Sequence, residues 1–493
     1  MTGREREMGR EEGIREVEME EKGSVEGDLE GQRDHEVVDD DGKPKRTGTM
    51  WTASAHIITA VIGSGVLSLA WAMSQLGWIA GPVTLLLFSI ITFYTSSLLA
   101  DCYRTSDPIS GKRNYTYIDA VKSNLGGIQL WLCGLCQYVN LFGVAVGYTI
   151  TASISAAAVH KSNCFHNRGH GADCSVTDSK YMVAFGVVQI FLSQLPDFHK
   201  LWWLSILAAI MSLVYSSIAV GLSLARIISG TVGKTSLTGT EVGVDIDSAQ
   251  KVWKAFQALG DIAFAYSYSM ILIEIQDTLR SSPAENKVMK RASFIGVSTT
   301  TTFYILCGCL GYATFGNHAP GNILTGFGFY EPYWLVNIAN VCIVVHLLGA
   351  YQVFCQPLYA AVERWIAKKC PNLQILTHEH PLMVNKHFRC RINIFRLTWR
   401  TVFVAISTLL AILMPFFNDV LAFLGAVGFW PLTVHFPIEM YISQKNITKF
   451  TSRWIALKSL SFLCFLVSLA AACASTEGVI KALHHYIPFK TKS

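Results

Sequence analysis

Apolar residues in this chain gather in long runs and do not alternate with polar ones. Windows of about 19 residues mark apolar segments near 51–75, 78–100, 128–158, 181–196, 201–228, 254–276, 292–316, 333–362, 397–417, 419–441 and 454–483. Each reaches or approaches the roughly 20 residues needed to cross a hydrocarbon core. Backbone groups in lipid must be satisfied within their own segment, and nothing here alternates like a barrel strand. The pattern therefore predicts an all-α membrane protein of about eleven helices. Its narrowest divisions are the polar stretch 196–200 and the neighbourhood of Pro415.

Composition agrees with that reading. Of 493 residues, 51% are hydrophobic and 15% charged, against about 25% charged in a typical soluble domain, and the mean hydropathy is +0.36. Charge then orients the stack. Residues 1–42 hold 16 Asp/Glu and 6 Lys/Arg, leaving 19 acidic and 34 basic residues for the remainder. With a cytosolic N-terminus, the inner loops carry Arg104, Lys112, Arg113 and Lys122, then Arg280, Lys287, Lys290 and Arg291, then Lys368, Lys369, Lys386, Arg389, Arg391 and Arg396. The outer turns 317–331 and 415–418 carry no Lys or Arg, as the positive-inside rule requires. An odd helix count then puts the C-terminus outside.

Three regions follow. Residues 1–49 are expected to be a disordered acidic cytosolic tail, since Glu- and Gly-rich sequence buries too little to offset chain entropy. They contain no apolar core, so no cleavable signal peptide is expected. Residues 50–483 form the transmembrane domain, and 484–493 a short extracellular tail.

Cys164 and Cys174 fall in the predicted outer loop 159–180, where an oxidising environment allows a disulfide, with two free thiols as the alternative. The sequons at Asn114 and Asn446 lie on inner loops and should stay unglycosylated. Cys133 and Cys136 have CxxC spacing, but inside an apolar helix and without a second pair, so packing is expected there. His378, Glu379, His380, His387 and Cys390 share an inner loop that reads as solvated and basic rather than as a metal site. Arg226 is expected to snorkel at an outer helix end.

The chemistry concentrates where the helices are weak. The first segment contains TAVIGSGVLSLAW at 59–71, with Gly63, Ser64 and Gly65 at its centre. A glycine costs about 1 kcal/mol in a helix interior, and unwound backbone at membrane depth is tolerated where it lines a cavity or is buried in protein. Free amides and the positive end of the following half-helix suit an anion such as a carboxylate; close packing of small residues is the alternative. The sixth segment has a comparable weak point, with Gly260 and Asp261 just ahead of Phe264, Ala265, Tyr266, Ser267 and Tyr268. Interruptions in segments one and six are what an inverted repeat of five plus five helices predicts, with the binding site between them.

From Gly42 onward the chain resembles the plant amino acid permeases of the amino acid/auxin permease family, within the amino acid–polyamine–organocation transporters. The resemblance is carried by GKPKRTGTMWTASAHIITAVIGSGVLSLAWAMSQLGWIAGP at 42–82, NYTYIDAV at 114–121, FQALGDIAFAYSYSMILIEIQDTL at 256–279 and GYATFG at 311–316. It implies a LeuT-like 5+5 inverted repeat with an eleventh helix, helices 1 and 6 discontinuous, and proton-coupled uptake of amino acids across the plasma membrane. In that fold the amides of Ile62, Gly63, Ser64 and Gly65 would hold the substrate carboxylate. Carbonyls of Phe264, Ala265 and Tyr266 would take its amine, and Ser267 would help shape the side-chain pocket. Main-chain recognition discriminates weakly among side chains, since one methylene changes binding by about 1–3 kcal/mol. The implied substrates are free neutral and acidic L-amino acids, with the proton as coupling ion and no cofactor; membrane lipids are the surroundings, and no nucleic acid partner is implied.

Intramembrane ionisable residues are functional candidates by default. Here they are His56, Asp261, Glu274, His346, His435 and Glu439. His56, Asp261 and His346 are the coupling candidates, with the resemblance favouring His56; a structural, hydrogen-bonded histidine is the alternative for His56 and His346. Glu274, His435 and Glu439 lie at predicted inner ends, where snorkelling or gating is expected. An enzyme is disfavoured because no nucleophile–base pair or H-E-x-x-H motif is present, and a channel because two asymmetric breaks in one chain suit alternating access. A carrier of narrower range, lysine/histidine-type or auxin-type, or an amino-acid sensor of the same fold, remain the alternatives.

Overall fold

The computed structural model describes residues 38–169, 171–194, 202–328, 332–370, 379–385 and 388–485. Its helices in chain order are α1 (Met50–Val61), α2 (Gly65–Asp101), α3 (Tyr117–Asn124), α4 (Gly127–Arg168), α5 (Asp178–Leu192), α6 (Trp202–Ile228), α7 (Ser248–Ala265), α8 (Leu272–Gln276), α9 (Glu285–Phe315), α10 (Tyr333–Lys369), α11 (Ile394–Leu413), α12 (Phe417–Gly428), α13 (Phe436–Gln444) and α14 (Ser452–His485). Among the described residues, nine helical stretches are long and apolar enough to cross a membrane. The predicted first and fourth spans fall short by that measure because α1 has 12 residues and α5 has 15. The polar stretch expected to divide α5 from α6 lies outside the described residues.

The class is helical, as expected, with one addition outside the spans. The loop after α10 contains an antiparallel hairpin, β1 (Glu379–Asn385) with β2 (Phe388–Asn393), pairing Glu379 with Asn393 and Leu382 with Cys390. Outside lipid, backbone groups can be satisfied between strands as well as within a helix, so a loop beyond the membrane is free to form a ladder. Of the zinc candidates, His378 and His387 lie outside the described residues. Among the described residues, no group of His, Cys, Asp and Glu could hold a metal ion.

Helix ends depart from the hydropathy windows in informative ways. α4 runs to Arg168, ten residues past its expected end, so much of the predicted outer loop is helix. Cys164 on its last turns is joined to Cys174 in a disulfide. α2 continues the first span into the second without a loop, turning at Gly77, whose φ is +77°. A side chain there would stand 2.3 Å from the Gly239 amide nitrogen, because the 229–247 loop packs over the turn. The tenth apolar run, 419–441, predicts one helix, yet Phe429–His435 between α12 and α13 is a π-helical turn. It contains Pro431, which lacks the amide an α-helix would use. Arg226 does not simply snorkel: its guanidinium reaches Gly326 O at 3.4 Å and lies over the Phe315 and Phe327 rings.

α2 packs on α7 and α9, α4 and α6 on α10, and α12 on α7 and α14. The first break and the end of α7 therefore lie inside the bundle, with Ile62, Val66, Ile262 and Tyr266 all buried. Ile79, Ile90, Trp131, Phe191, Ile228 and Phe462 are more than half exposed on the outside, as a surface solvated by lipid allows.

The expected disorder of residues 1–49 is corrected for 38–49. Arg46 pairs with Asp39 at 3.0 Å, Asp41 at 2.8 Å and Asp277 at 2.8 Å. Arg104 and Arg113 both reach Glu285, at 2.7 and 3.1 Å, and Arg113 reaches Asp40 at 2.5 Å. Gly48 exchanges backbone hydrogen bonds with the strip after α8, donating to Thr278 O and accepting from Arg280 N. Residues that look like tail by composition are held because each charge meets its opposite in a partly dry setting. The chain outside 38–485 lies outside the described residues, including most of the expected C-terminal tail.

Candidate functional site

α1 ends at Val61 and α2 begins at Gly65, leaving Ile62, Gly63 and Ser64 outside regular helix. The turn corrects the expectation of four free amides. Ile62 N donates to Ile58 O at 2.8 Å, closing α1, and Gly63 N folds back on Val61 O at 2.8 Å. The amides of Ser64 and Gly65 have no backbone acceptor among the described residues, because they begin a helix and the first amides of a helix have no intrahelical partner. Ser64 is the N-cap residue, yet its side chain makes no capping bond, and its Oγ is buried without a hydrogen-bond partner. Free donors thus belong to the second half-helix, where the macrodipole is positive.

The sixth span breaks in the same way. α7 ends at Ala265, Tyr266 and Ser267 are irregular, a 3-10 turn covers Ser269–Ile271, and α8 resumes at Leu272. Tyr266 O accepts one bond, from Tyr268 N at 3.1 Å, and Ala265 O one, from the Tyr304 hydroxyl at 2.9 Å, whereas Phe264 O accepts from both Ser267 N, at 3.0 Å, and the Tyr266 amide. A carbonyl oxygen has two lone pairs, so Ala265 O and Tyr266 O each keep one site and Phe264 O is filled. Ser267 Oγ donates to Ala263 O at 2.7 Å and is spent locally.

The two breaks meet at Gly65, where an added Cβ would stand 2.9 Å from Ala265 Cα. Only glycine admits that approach. Three tyrosines, missed by the sequence reading, tie the surroundings. The Tyr304 hydroxyl also reaches Val61 O, so it spans both breaks. The Tyr215 hydroxyl lies 3.0 Å from both Ile62 O and Gly63 O. Tyr148 Oη would lie 3.3 Å from a Cβ at Gly63. Their one available signal was a hydroxyl on an apolar run, which must find a partner when buried.

The ionisable candidates separate. His346 on α10 is fully buried; its Nδ1 is 2.9 Å from Ala208 O, and its Nε2, without a partner, would lie 3.7 Å from a Cβ at Gly63. Asp261 lies on α7 four residues before Ala265, fully buried, with no hydrogen-bond partner for either carboxylate oxygen among the described residues. The carbonyl of its neighbour Gly260 is where α7 and α12 touch, 2.1 Å from a Cβ placed on Gly425. His56 is buried on α1, seven residues before Gly63 and away from the break. Glu274 accepts from Tyr117 N at 3.2 Å, which fixes the start of α3. Glu439 pairs with Lys458 at 2.5 Å, with His435 3.9 Å away. Glu274 thus sits three residues past the sixth-span break, committed through one carboxylate oxygen to α3, while His435 and Glu439 lie on the tenth span. Cys133 and Cys136 are free thiols on α4.

Chemically, the site offers amide donors and a hydroxyl at one break, carbonyl acceptors at the other, and two uncommitted ionisable groups within one or two turns. It has no nucleophile activated by a base. The family model for transmembrane amino acid transporter proteins matches residues 46–481. Amino acid permease 1 of Arabidopsis thaliana is 61% identical over 454 residues, spanning 92% of this chain and 94% of that protein. Amino acid permease 3 of the same plant is 59% identical over 455 residues, 92% and 95% of the two chains. Lysine histidine transporter-like 6, also from Arabidopsis thaliana, is 30% identical over 450 residues, 89% and 91% of the two. Among solved structures, MhsT in complex with L-phenylalanine superposes with a TM-score of 0.55 at 10% identity, covering 88% of this chain and 100% of that one. Mhp1, a nucleobase-cation-symport-1 family transporter in a closed conformation with bromovinylhydantoin, gives 0.51 at 14% identity, covering 89% and 93%. At such identities the likeness is one of fold.

Proposed function

The chain belongs to the transmembrane amino acid transporter family, whose named relatives are permeases and transporters and not enzymes, and from that premise we propose that it is a proton-coupled symporter of broad specificity. The observation that carries the reading is the meeting of the two breaks, with unbonded amides at Ser64 and Gly65 on one side and carbonyls of Ala265 and Tyr266 on the other. A free amino acid presents a carboxylate and an ammonium a short distance apart, and this pairing reads both without touching the side chain. Neutral and acidic amino acids are the proposed substrates.

In this reading the chain crosses the membrane eleven times. The two further crossings are α1 with the front of α2, and α5. The first ten crossings form a 5+5 inverted repeat, interrupted at crossings one and six. The N-terminus is cytosolic and the C-terminus extracellular, supported by Arg46, Arg104, Arg113, Arg280 and Arg291 gathering at one end. The plasma membrane is the proposed residence.

Opening and closing would separate and rejoin the breaks, with Tyr304 and Tyr215 as the hydrogen-bonded pivots. Asp261 and His346 are the proposed coupling groups, because each is buried with an unpartnered polar atom near a break. His56 is retained as a third candidate on its position in the first crossing.

The test is whole-cell current in oocytes expressing the chain, with single amino acids applied at external pH of about 5.5 and about 7.5, which straddle the ordinary histidine value. Inward current that needs an amino acid and grows with acidity is expected. Tracer uptake without current or pH dependence would replace symport by uniport or exchange.

A further inference from the structure

At the end of the bundle where α1 begins, Thr49, Met50, Arg280, Ser282, Val288 and Arg291 enclose an open cavity of about 210 Å³. Its two cations differ from their neighbours. Arg46, Arg104 and Arg113, close by in the same corner, are each paired to carboxylates. Neither Arg280 nor Arg291 forms an ion pair among the described residues, and the Arg280 side chain makes one long bond there, Nε to Thr47 O at 3.4 Å. Both are exposed, Arg280 just past α8 and Arg291 in the second turn of α9. Lys287, four residues before Arg291 on the same helix, is exposed and forms no ion pair among the described residues.

Beside this cavity the surface turns apolar. Trp51 on α1 is 69% exposed and Phe294 on α9 is 59% exposed, and α1 and α9 pack together. Arg291 and Phe294 stand three residues apart on α9, and Trp51 follows the cavity-lining Met50; guanidiniums and exposed aromatic rings so close in sequence at a helix end match the headgroup–hydrocarbon boundary of a bilayer. Guanidinium binds phosphate through paired, charge-assisted hydrogen bonds. We propose that this corner binds the phosphate of an anionic phospholipid from the adjacent leaflet, its acyl chains lying along Trp51 and Phe294. A lipid held there bridges the start of α1 to α9 and to the strip after α8. The bound lipid would favour the arrangement in which those elements stand together.

The experiment is native mass spectrometry of the purified full chain with phosphatidylinositol 4-phosphate, and with phosphatidylcholine as the uncharged comparison. The wild type is expected to retain the anionic lipid. The double variant Arg280→Gln/Arg291→Gln should lose it roughly tenfold or more, since each basic residue near a membrane surface contributes on the order of a factor of five to anionic-lipid binding. Lys449→Gln, a change at an exposed lysine of another loop, should retain it. Both arginines are exposed, so the double variant should remain folded and monodisperse. Equal retention in the double variant overturns the proposal. Complete displacement by inorganic phosphate makes the site one for free phosphate and overturns the lipid assignment. Lipid retention that appears only when Glu16, Glu18, Glu20 and Glu21 are changed to Gln assigns the corner to the chain's own acidic segment instead.

Discussion

Gly65 meets Ala265 backbone to backbone, so closely that a Cβ on the glycine would stand 2.9 Å from Ala265 Cα. That contact joins two helix breaks almost exactly 200 residues apart in sequence, and it makes Gly65 the least replaceable position of the first break. Gly65→Ala is expected to lower amino acid uptake at least about tenfold, because relieving the overlap costs on the order of 1–3 kcal/mol. Gly63→Ala meets only the movable Tyr148 hydroxyl at 3.3 Å and His346 Nε2 at 3.7 Å, and should stay within a few-fold of wild type. Tracer uptake normalised to surface protein checks the pair; equal effects would remove the special role of Gly65.

Tyr304 should matter through its hydroxyl alone. Tyr304→Phe keeps the ring against Tyr266, 5.2 Å between centroids, but takes the shared donor from Val61 O and Ala265 O. Val61 O keeps its bond from Gly63 N, but leaving the buried Ala265 carbonyl unpaired costs about 1–3 kcal/mol. Slower uptake by about tenfold is expected, with a lower melting temperature. An unchanged uptake rate would mean the hydroxyl is not part of the moving hinge.

Asp261→Asn tests coupling without changing volume. The variant is expected to lose the acid-stimulated part of uptake, so that rates at external pH of about 5.5 and about 7.5 converge, while exchange of internal for external amino acid persists. Acid stimulation that survives in Asp261→Asn and disappears in His346→Gln would move the coupling site to the histidine.

Docking of residues 38–48 has a defined pH range. Burial pushes the Asp39 and Asp41 carboxyls up, but hydrogen bonds from Arg46, with help from Ser281 and from the Lys43 amide, outweigh it and hold both below their ordinary value of 3.8. A lowered carboxyl value contributes stability that is full above the ordinary value and lost as pH falls through the lowered one. Hydrogen exchange at the Gly48 amide should therefore stay protected from neutral pH down to about 4 and be released only below that. Release near pH 6 would trace the docking to histidines instead.

The Cys164–Cys174 disulfide closes a short loop at the end of α4. Cys164→Ser/Cys174→Ser is expected to cost about 3 kcal/mol or less on loop-closure grounds, seen as a lower melting temperature. Uptake at ambient temperature should be unaffected, because the loop is remote in sequence from both breaks. Lost uptake with unchanged melting temperature would place the loop in the transport path.

The weak points of the first and sixth spans were legible because glycine and a polar-aromatic interruption are costly inside a membrane-spanning helix. The identity of the free donors was not. Sequence assigned four amides from Ile62 to Gly65, whereas the turn geometry spends Ile62 and Gly63 on α1 and leaves Ser64 and Gly65 open. Tyr148, Tyr215 and Tyr304 were invisible because their partners are main-chain carbonyls or close neighbours on other helices. The order in 38–49 was hidden for a related reason: a DDDG stretch reads as tail until Arg104 and Arg113 are seen to pair with Asp40, and Arg46 to tie Asp39 and Asp41 to Asp277.

Taken alone, the chain's hydropathy determined that it is a bundle of membrane helices, and its glycines determined where two of them give way. Both follow from local physics, since lipid leaves a backbone no outside partner and glycine weakens a helix wherever it stands. Tertiary structure decided what those breaks face. It set Gly65 on Ala265, turned His346 Nε2 toward Gly63, left Asp261 without a partner and engaged one pair of amides while freeing the next. These are distances between residues far apart in sequence, fixed only when the helices pack.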